Sequence, residues 1–174
     1  MVPLVVKETP PQIMDASQQA ELARKILSAP LTLQLPNAQK GDPGPWVIPT
    51  DRLAQMLTIQ RAISSNGAQF QVGLNTSALT TYVTALGPQI GRDPKNTRFM
   101  FNDETRQLEV ITPAVIGRSL DVPATVEEIN QKLPQGEHNI VMKVNTNQPT
   151  VTDTMTGQQL GITELVTSYT SYFR

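Results

Sequence analysis

Leu79, Val83, Leu86 and Ile90 recur at intervals of four, three and four residues, so on a helix they form one apolar stripe. The same spacing returns in Ala16, Ala20, Ala23 and Leu27 and in Val122, Val126, Ile129 and Leu133. A shorter helix over Asp51–Leu57 carries Leu53, Met56 and Leu57. A helix with a single stripe buries one face only and needs a second layer to cover it. Alternating or β-rich runs supply that layer at Leu31–Leu35, Gln69–Leu74, Arg98–Asn102, Gln107–Thr112 and Ile140–Val144. Together they predict an α+β fold, an antiparallel or mixed sheet with helices packed mainly on one face.

Local signals set the expected boundaries. Asp15 with Gln18 reads as a capping box, Thr50 as the cap of the second helix, Asn75 or Thr76 of the third and Asp121 of the fourth. Gly87-Pro88 is expected to end the third helix and Pro134 the fourth, whereas Pro123 falls in a first turn, where proline is tolerated. Asp103–Arg106 joins two alternating runs into a hairpin, and Thr58–Ser64 pairs with Gln69–Leu74 around Asn66-Gly67. Gly41–Pro45 and Asn145–Pro149 read as loops. A shift of 106 positions lays Asp15 and its stripe on Asp121 and its stripe, with a strand before and after each helix. On that reading residues 1–36 are the tail of a preceding similar module, 37–150 a complete module, and 151–174 the lead-in to a further domain.

Composition narrows the function. The 174 residues carry 14 basic and 15 acidic side chains scattered along the chain, which argues against nucleic acid as partner. There is no cysteine, hence no disulfide and no thiolate metal site. Charged residues are only 17%, with 20 Thr and 16 Gln in their place, a neutral hydrogen-bonding surface that fits an extracytoplasmic setting. No apolar run approaches the ~20 residues of a membrane span. Met1 is followed by a strand-like Val2–Val6 without a basic leader, and the chain stops in an aromatic run through Tyr172 and Phe173, so both ends read as boundaries inside a longer protein.

Bond-making chemistry is hard to assemble from this inventory. The one histidine, His138, is expected to be a solvated residue beside a strand. A glycan-cleaving enzyme would need two converging carboxylates. Asp121 reads instead as a cap and Asp103 as a turn residue, and the adjacent Glu127 and Glu128 diverge on a helix. No metal-ligand spacing or glycine-rich phosphate loop is present, and no cofactor is expected. For non-covalent binding the candidates are Trp46, the single tryptophan, otherwise expected in the core; Tyr82 at the margin of its stripe; and Arg92, Asn96, Arg98 and Arg118, suited to carboxylates.

The order Trp46-Val-Ile-Pro, Leu74-Asn75, Pro94-x-Asn96-x-x-Phe99 and Gly117-Arg-Ser-Leu120-Asp121 resembles the peptidoglycan-binding domain found upstream of VanW-like domains and of some L,D-transpeptidases. The ending Leu160-Gly-Ile-Thr-Glu-Leu-Val166, with Thr170–Phe173, resembles the entry to a VanW-like domain of the vancomycin-resistance family. The likeness covers roughly residues 28–174 and implies a mixed α+β module facing the cell wall, in a surface protein anchored through a segment outside this chain. It implies peptidoglycan and a downstream VanW-like domain in cis as partners, and supplies no binding residues. An L,D-transpeptidase needs a catalytic cysteine, which this chain lacks. The function expected is a non-catalytic wall-binding module. The alternatives are a structural spacer or oligomerisation domain, and a glycan-cleaving enzyme whose carboxylate pair only the fold assembles.

Overall fold

The computed structural model describes residues 15–64, 67–162 and 171–172. The strand expected at Val2–Val6 and the lead-in at Thr163–Val166 lie outside them. In chain order the elements are α1 (Ser17–Ile26), β1 (Leu31–Gln34), β2 (Trp46–Ile48), α2 (Thr50–Met56), β3 (Leu57–Ser64), β4 (Gly67–Leu74), α3 (Thr76–Ile90), β5 (Arg98–Asn102), β6 (Gln107–Thr112), β7 (Gly117–Leu120), α4 (Val122–Lys132), a 3-10 turn (Leu133–Gln135), β8 (Asn139–Val141), β9 (Val144–Asn147) and α5 (Gly157–Leu160). The class is α+β. The strands divide among four small sheets instead of forming one: a mixed sheet in the order β2-β1-β8 and three antiparallel pairs, β3-β4, β5-β6 and β7-β9.

The chain forms two compact units. The first contains the described residues up to Leu86 together with Asp121–Lys143. Its centre is β1, antiparallel to β2 and parallel to β8, with Leu33 facing Trp46 on one side and Ile140 on the other. Part of the segment read as the tail of a preceding module, residues 17–34, thus supplies α1 and β1 of this unit. Leu31, Leu33, Ile48 and Ile140 are fully buried, as are Leu53, Leu79, Val83, Ile129 and Leu133. The stripe Leu79-Val83-Leu86-Ile90 is buried throughout, and of the fourth stripe Val126, Ile129 and Leu133 are buried.

The second unit contains Gly87–Leu120 and the described residues from Val144 onward. Ile90 is its one buried large apolar side chain among the described residues, so backbone pairing and polar ties carry more of its order. The hairpin β5-β6 has the expected bounds, with a bulge after Arg98, and Arg106 turns in the left-handed region at φ 57°.

Several boundaries depart from expectation. In α1 the buried residue is Ile26, while Ala16 and Ala20 are exposed. A methyl group gains little from burial, so the larger Leu22 and Ile26 choose the face. Asp15 accepts from the N–H and hydroxyl of Ser17, not in a capping box with Gln18. Thr50 makes no capping hydrogen bond and is the first residue of α2, behind Pro49. α3 runs through Pro88 to Ile90, closed by Gly91 N–H on the Gly87 carbonyl at 2.8 Å. Gly87 has no Cβ to meet the proline ring, which removes part of the usual conflict. The run Ile140–Val144 breaks into β8 and β9, so Asn145, Thr146 and Asn147 of the expected loop Asn145–Pro149 are strand. Asn75 and Asp121 cap as expected, accepting from Ala78 and Ala124 N–H.

Ile129→Ala should cost about 2–5 kcal/mol in urea unfolding, whereas Ile59→Ala, 61% exposed in β3, should stay within roughly 0.5 kcal/mol. Equal losses would mean that the core is misplaced.

Candidate functional site

Four of the six candidate side chains lie in the second unit. Arg92 and Arg118 bridge each other through their backbones. Their ε-nitrogens donate to the carbonyls of Ile116 and Ile90, each at 2.8 Å. Asn96 accepts from Val151 N–H at 3.1 Å, and Arg98 is exposed at the start of β5. Asp153 holds the same neighbourhood, accepting from the Thr97 hydroxyl and from Ala114 N–H. Gly117 fits because a Cβ there would come within 2.6 Å of the Pro94 ring. These contacts bring Arg92 and Arg118 together and use polar atoms of both, and of Asn96, to order loops.

The other two candidates lie in the first unit. Trp46 is half-buried in β2, with its ring against Gly44; a Cβ there would sit 2.7 Å from the ring, at a φ of 96° that also favours glycine. Tyr82 is half-buried on α3, and the Arg52 guanidinium lies 5.4 Å from its ring centre, a cation–π contact.

His138 is buried, contrary to expectation. Its Nδ1 is 2.9 Å from the Gly136 carbonyl and its Nε2 3.2 Å from that of Ile26. It sits where the turn into β8 passes under the end of α1, and so serves as a core tie.

A concave surface lined by neutral hydrogen-bonding side chains lies outside the six candidates. In the hairpin β3-β4, Gln60 stands opposite Gln71 and Thr58 opposite Gly73. Side chains alternate along a strand, so the two glutamines and Thr58 share one face. The groove there, about 420 Å³, is completed by Asn75, Thr76 and Ser77 as the chain enters α3. Thr58 donates to the Gly73 carbonyl and Asn75 caps α3, while the Gln60 and Gln71 amides are exposed and make no side-chain hydrogen bond to described residues. An adjoining cleft shares Gln71 and adds Gln18 and Gln19 of α1 with Gln69 and Phe70. Among the described residues no ionisable side chain lines either cleft. The available sequence signal is the alternation of Thr58 with Gln60 and of Gln69 with Gln71 across the β3-β4 hairpin.

Among the described residues no carboxyl group lines this groove. Lys132, then Lys143, holds Glu128 below the ordinary carboxylate value, at 2.8 and 3.2 Å. Glu127 accepts from Gln131 instead. The Thr97 hydroxyl, then Ala114 N–H, likewise lowers Asp153. A general acid would need a shift in the other direction. Among the described residues no group of three His, Cys, Asp or Glu could hold a metal ion, and no helix is long and apolar enough to cross a membrane.

The fold and the groove define a small α+β module with a neutral, open, hydrogen-bonding cleft. The chain belongs to the family described as "Putative peptidoglycan binding domain", whose sequence model matches residues 50–142, over half of its length. Its fold is similar to that of the Ldtfm–avibactam carbamoyl enzyme, at 16% identity and a TM-score of 0.50 over 80% of this chain and 48% of that one. A mutant of Enterococcus faecium L,D-transpeptidase matches with 16% identity and a TM-score of 0.47, over 78% of this chain and 48% of the other. The chain spans about half the length of these structures, and at such identity the likeness concerns the fold alone. No curated protein matches the sequence.

The Asp153 shift has a sign that can be checked. A carboxyl held low in the fold stabilises it above its unfolded value, near 3.8, and that contribution fades as pH falls through the folded value. Asp153→Asn should therefore flatten the acid limb of the second unit's stability, read from amide exchange between pH 7 and pH 3. An unchanged limb would show that the carboxylate does not hold Thr97 and Ala114 in solution.

Proposed function

We propose that this chain is a non-catalytic, wall-facing module that binds peptidoglycan and positions a downstream domain. Family membership over residues 50–142 is the observation that carries the reading. The neutral cleft on β3-β4 and the absence of cysteine support it, because a hydrogen-bonding surface suits reversible contact with a carbohydrate polymer. The finer parts of the proposal rest on the sequence resemblance. The downstream partner is a VanW-like domain entered through residues 151–174, the setting is extracytoplasmic, and the anchor is a membrane segment outside this chain.

Co-sedimentation of the 174-residue chain with insoluble peptidoglycan sacculi tests the binding. The chain should pellet with sacculi in a saturable way and release no soluble muropeptides. Absence of enrichment over an unrelated domain of similar charge would favour the spacer reading, and released fragments would favour the enzyme.

A further inference from the structure

We infer that the groove on the Gln60–Gln71 face of β3-β4 is a glycan-strand site, taking the N-acetylated sugar backbone of the wall polymer and not its stem peptides. The inference rests on the peptidoglycan-binding reading and goes further, naming the site and the part of the polymer it contacts.

Three observations support it. The first is chemical matching. Gln60 and Gln71 face each other across the strand pair with free primary amides, each able to donate two hydrogen bonds and accept at its oxygen. Thr76 and Ser77 add hydroxyls at the same groove. Sugar hydroxyls and N-acetyl groups also donate and accept, so a glycan can be met group by group. Stem peptides carry free carboxylates, whose strong partners are arginine and lysine, and among the described residues no ionisable side chain lines the groove.

The second is extent. Gln69 and Gln71, two residues apart, continue the same face of β4 beside Thr58 and Gln60 of β3. Five residues of strand from Gln69 to Gly73 cover ~13 Å at ~3.3 Å per residue, longer than one sugar ring. An elongated band of like groups fits a repeating polymer better than a compact ligand.

The third is rigidity. Leu74, which lines the groove, is buried, and Asn75 fixes the entry to α3 through Ala78 N–H. The amides therefore stand on paired strands whose Leu74 end is anchored in the core, which limits the ordering cost of binding. Among the described residues no aromatic ring lines the groove, so hydrogen bonds dominate and each sugar contributes little. Retention on the wall would come from the repetition of the ligand.

The test is an amide-detected NMR titration of the full 174-residue chain with two probes: wall glycan strands stripped of peptide by an amidase, and a soluble synthetic stem pentapeptide. Glycan strands should shift the side-chain amide signals of Gln60 and Gln71 and the backbone of residues 58–77, and the pentapeptide should leave them in place. Gln60→Ala combined with Gln71→Ala should weaken glycan binding roughly tenfold, the loss of about two hydrogen bonds. Ile59→Ala, on the same strand but the opposite face, should bind as before. Shifts produced by the pentapeptide alone, with binding lost in Arg98→Gln, would move the site to the second unit and overturn the assignment. Retention on sacculi without any change at residues 58–77 would overturn it while leaving peptidoglycan binding intact. Failure to bind sacculi would remove the reading beneath it as well.

Discussion

Everything in the first unit depends on the parallel pairing of β1 with β8. Thr32 meets Asn139, Leu33 meets Ile140 and Gln34 meets Val141, strands from the two ends of that unit's sequence. A parallel pair cannot be joined by a tight turn and must be closed by a crossover. Here the crossover includes the hairpin β3-β4, the helices α2 to α4 and an excursion into the second unit. Such a distant closure is entropically costly, and the sheet offsets it locally. Leu31, Leu33 and Ile140 are excluded from water, and Thr32 N–H donates to the His138 carbonyl at 2.7 Å while Met142 N–H donates to Gln34 at 2.8 Å. The His138 ring adds contacts to the Ile26 and Gly136 carbonyls. The only imidazole of the chain thus stands at the closure point, and its role there is architectural.

That arrangement explains what could be read from sequence. Stripes of large side chains were legible because their burial energy dominates: Leu79, Val83 and Leu86 lie where their spacing puts them. The stripe of alanines in α1 was misleading, since a small residue leaves the rotation of a helix to its larger neighbours. The β5-β6 hairpin was legible because alternation and turn lie within one short stretch. The split of Ile140–Val144 was not. Its first half pairs with β1 and its second with β7, and the change of partner occurs between residues whose local pattern is continuous. Similarly, nothing next to His138 in sequence announces that α1 covers it.

The candidate site was less legible than the fold, for a related reason. Arginine, tryptophan and tyrosine attract attention as binding residues because their side chains are versatile. The same versatility lets them build. Arg92 and Arg118 donate from their ε-nitrogens to backbone carbonyls, and Trp46 lies against Gly44. Two glutamines facing each other on an exposed hairpin carry no comparable signal. Each is an ordinary surface residue, and only strand register turns them into a pair.

The motif behind the family resemblance belongs to construction in the same way. Pro94 leaves no room for a Cβ at Gly117, Asn96 accepts from Val151 N–H, and Asp121 caps α4. Each answers a steric or hydrogen-bonding demand that admits few residue types. The second unit has little apolar core to specify it, so such fixed contacts carry its conformation. An exposed amide contacting a polymer is under looser demand, since glutamine, asparagine and serine all donate and accept. A family signature composed of builders identifies the scaffold reliably and says little about the ligand. What this scaffold leaves unused is a strand face on which, among the described residues, the Gln60 and Gln71 amides have no side-chain partner and no charged group lines the groove.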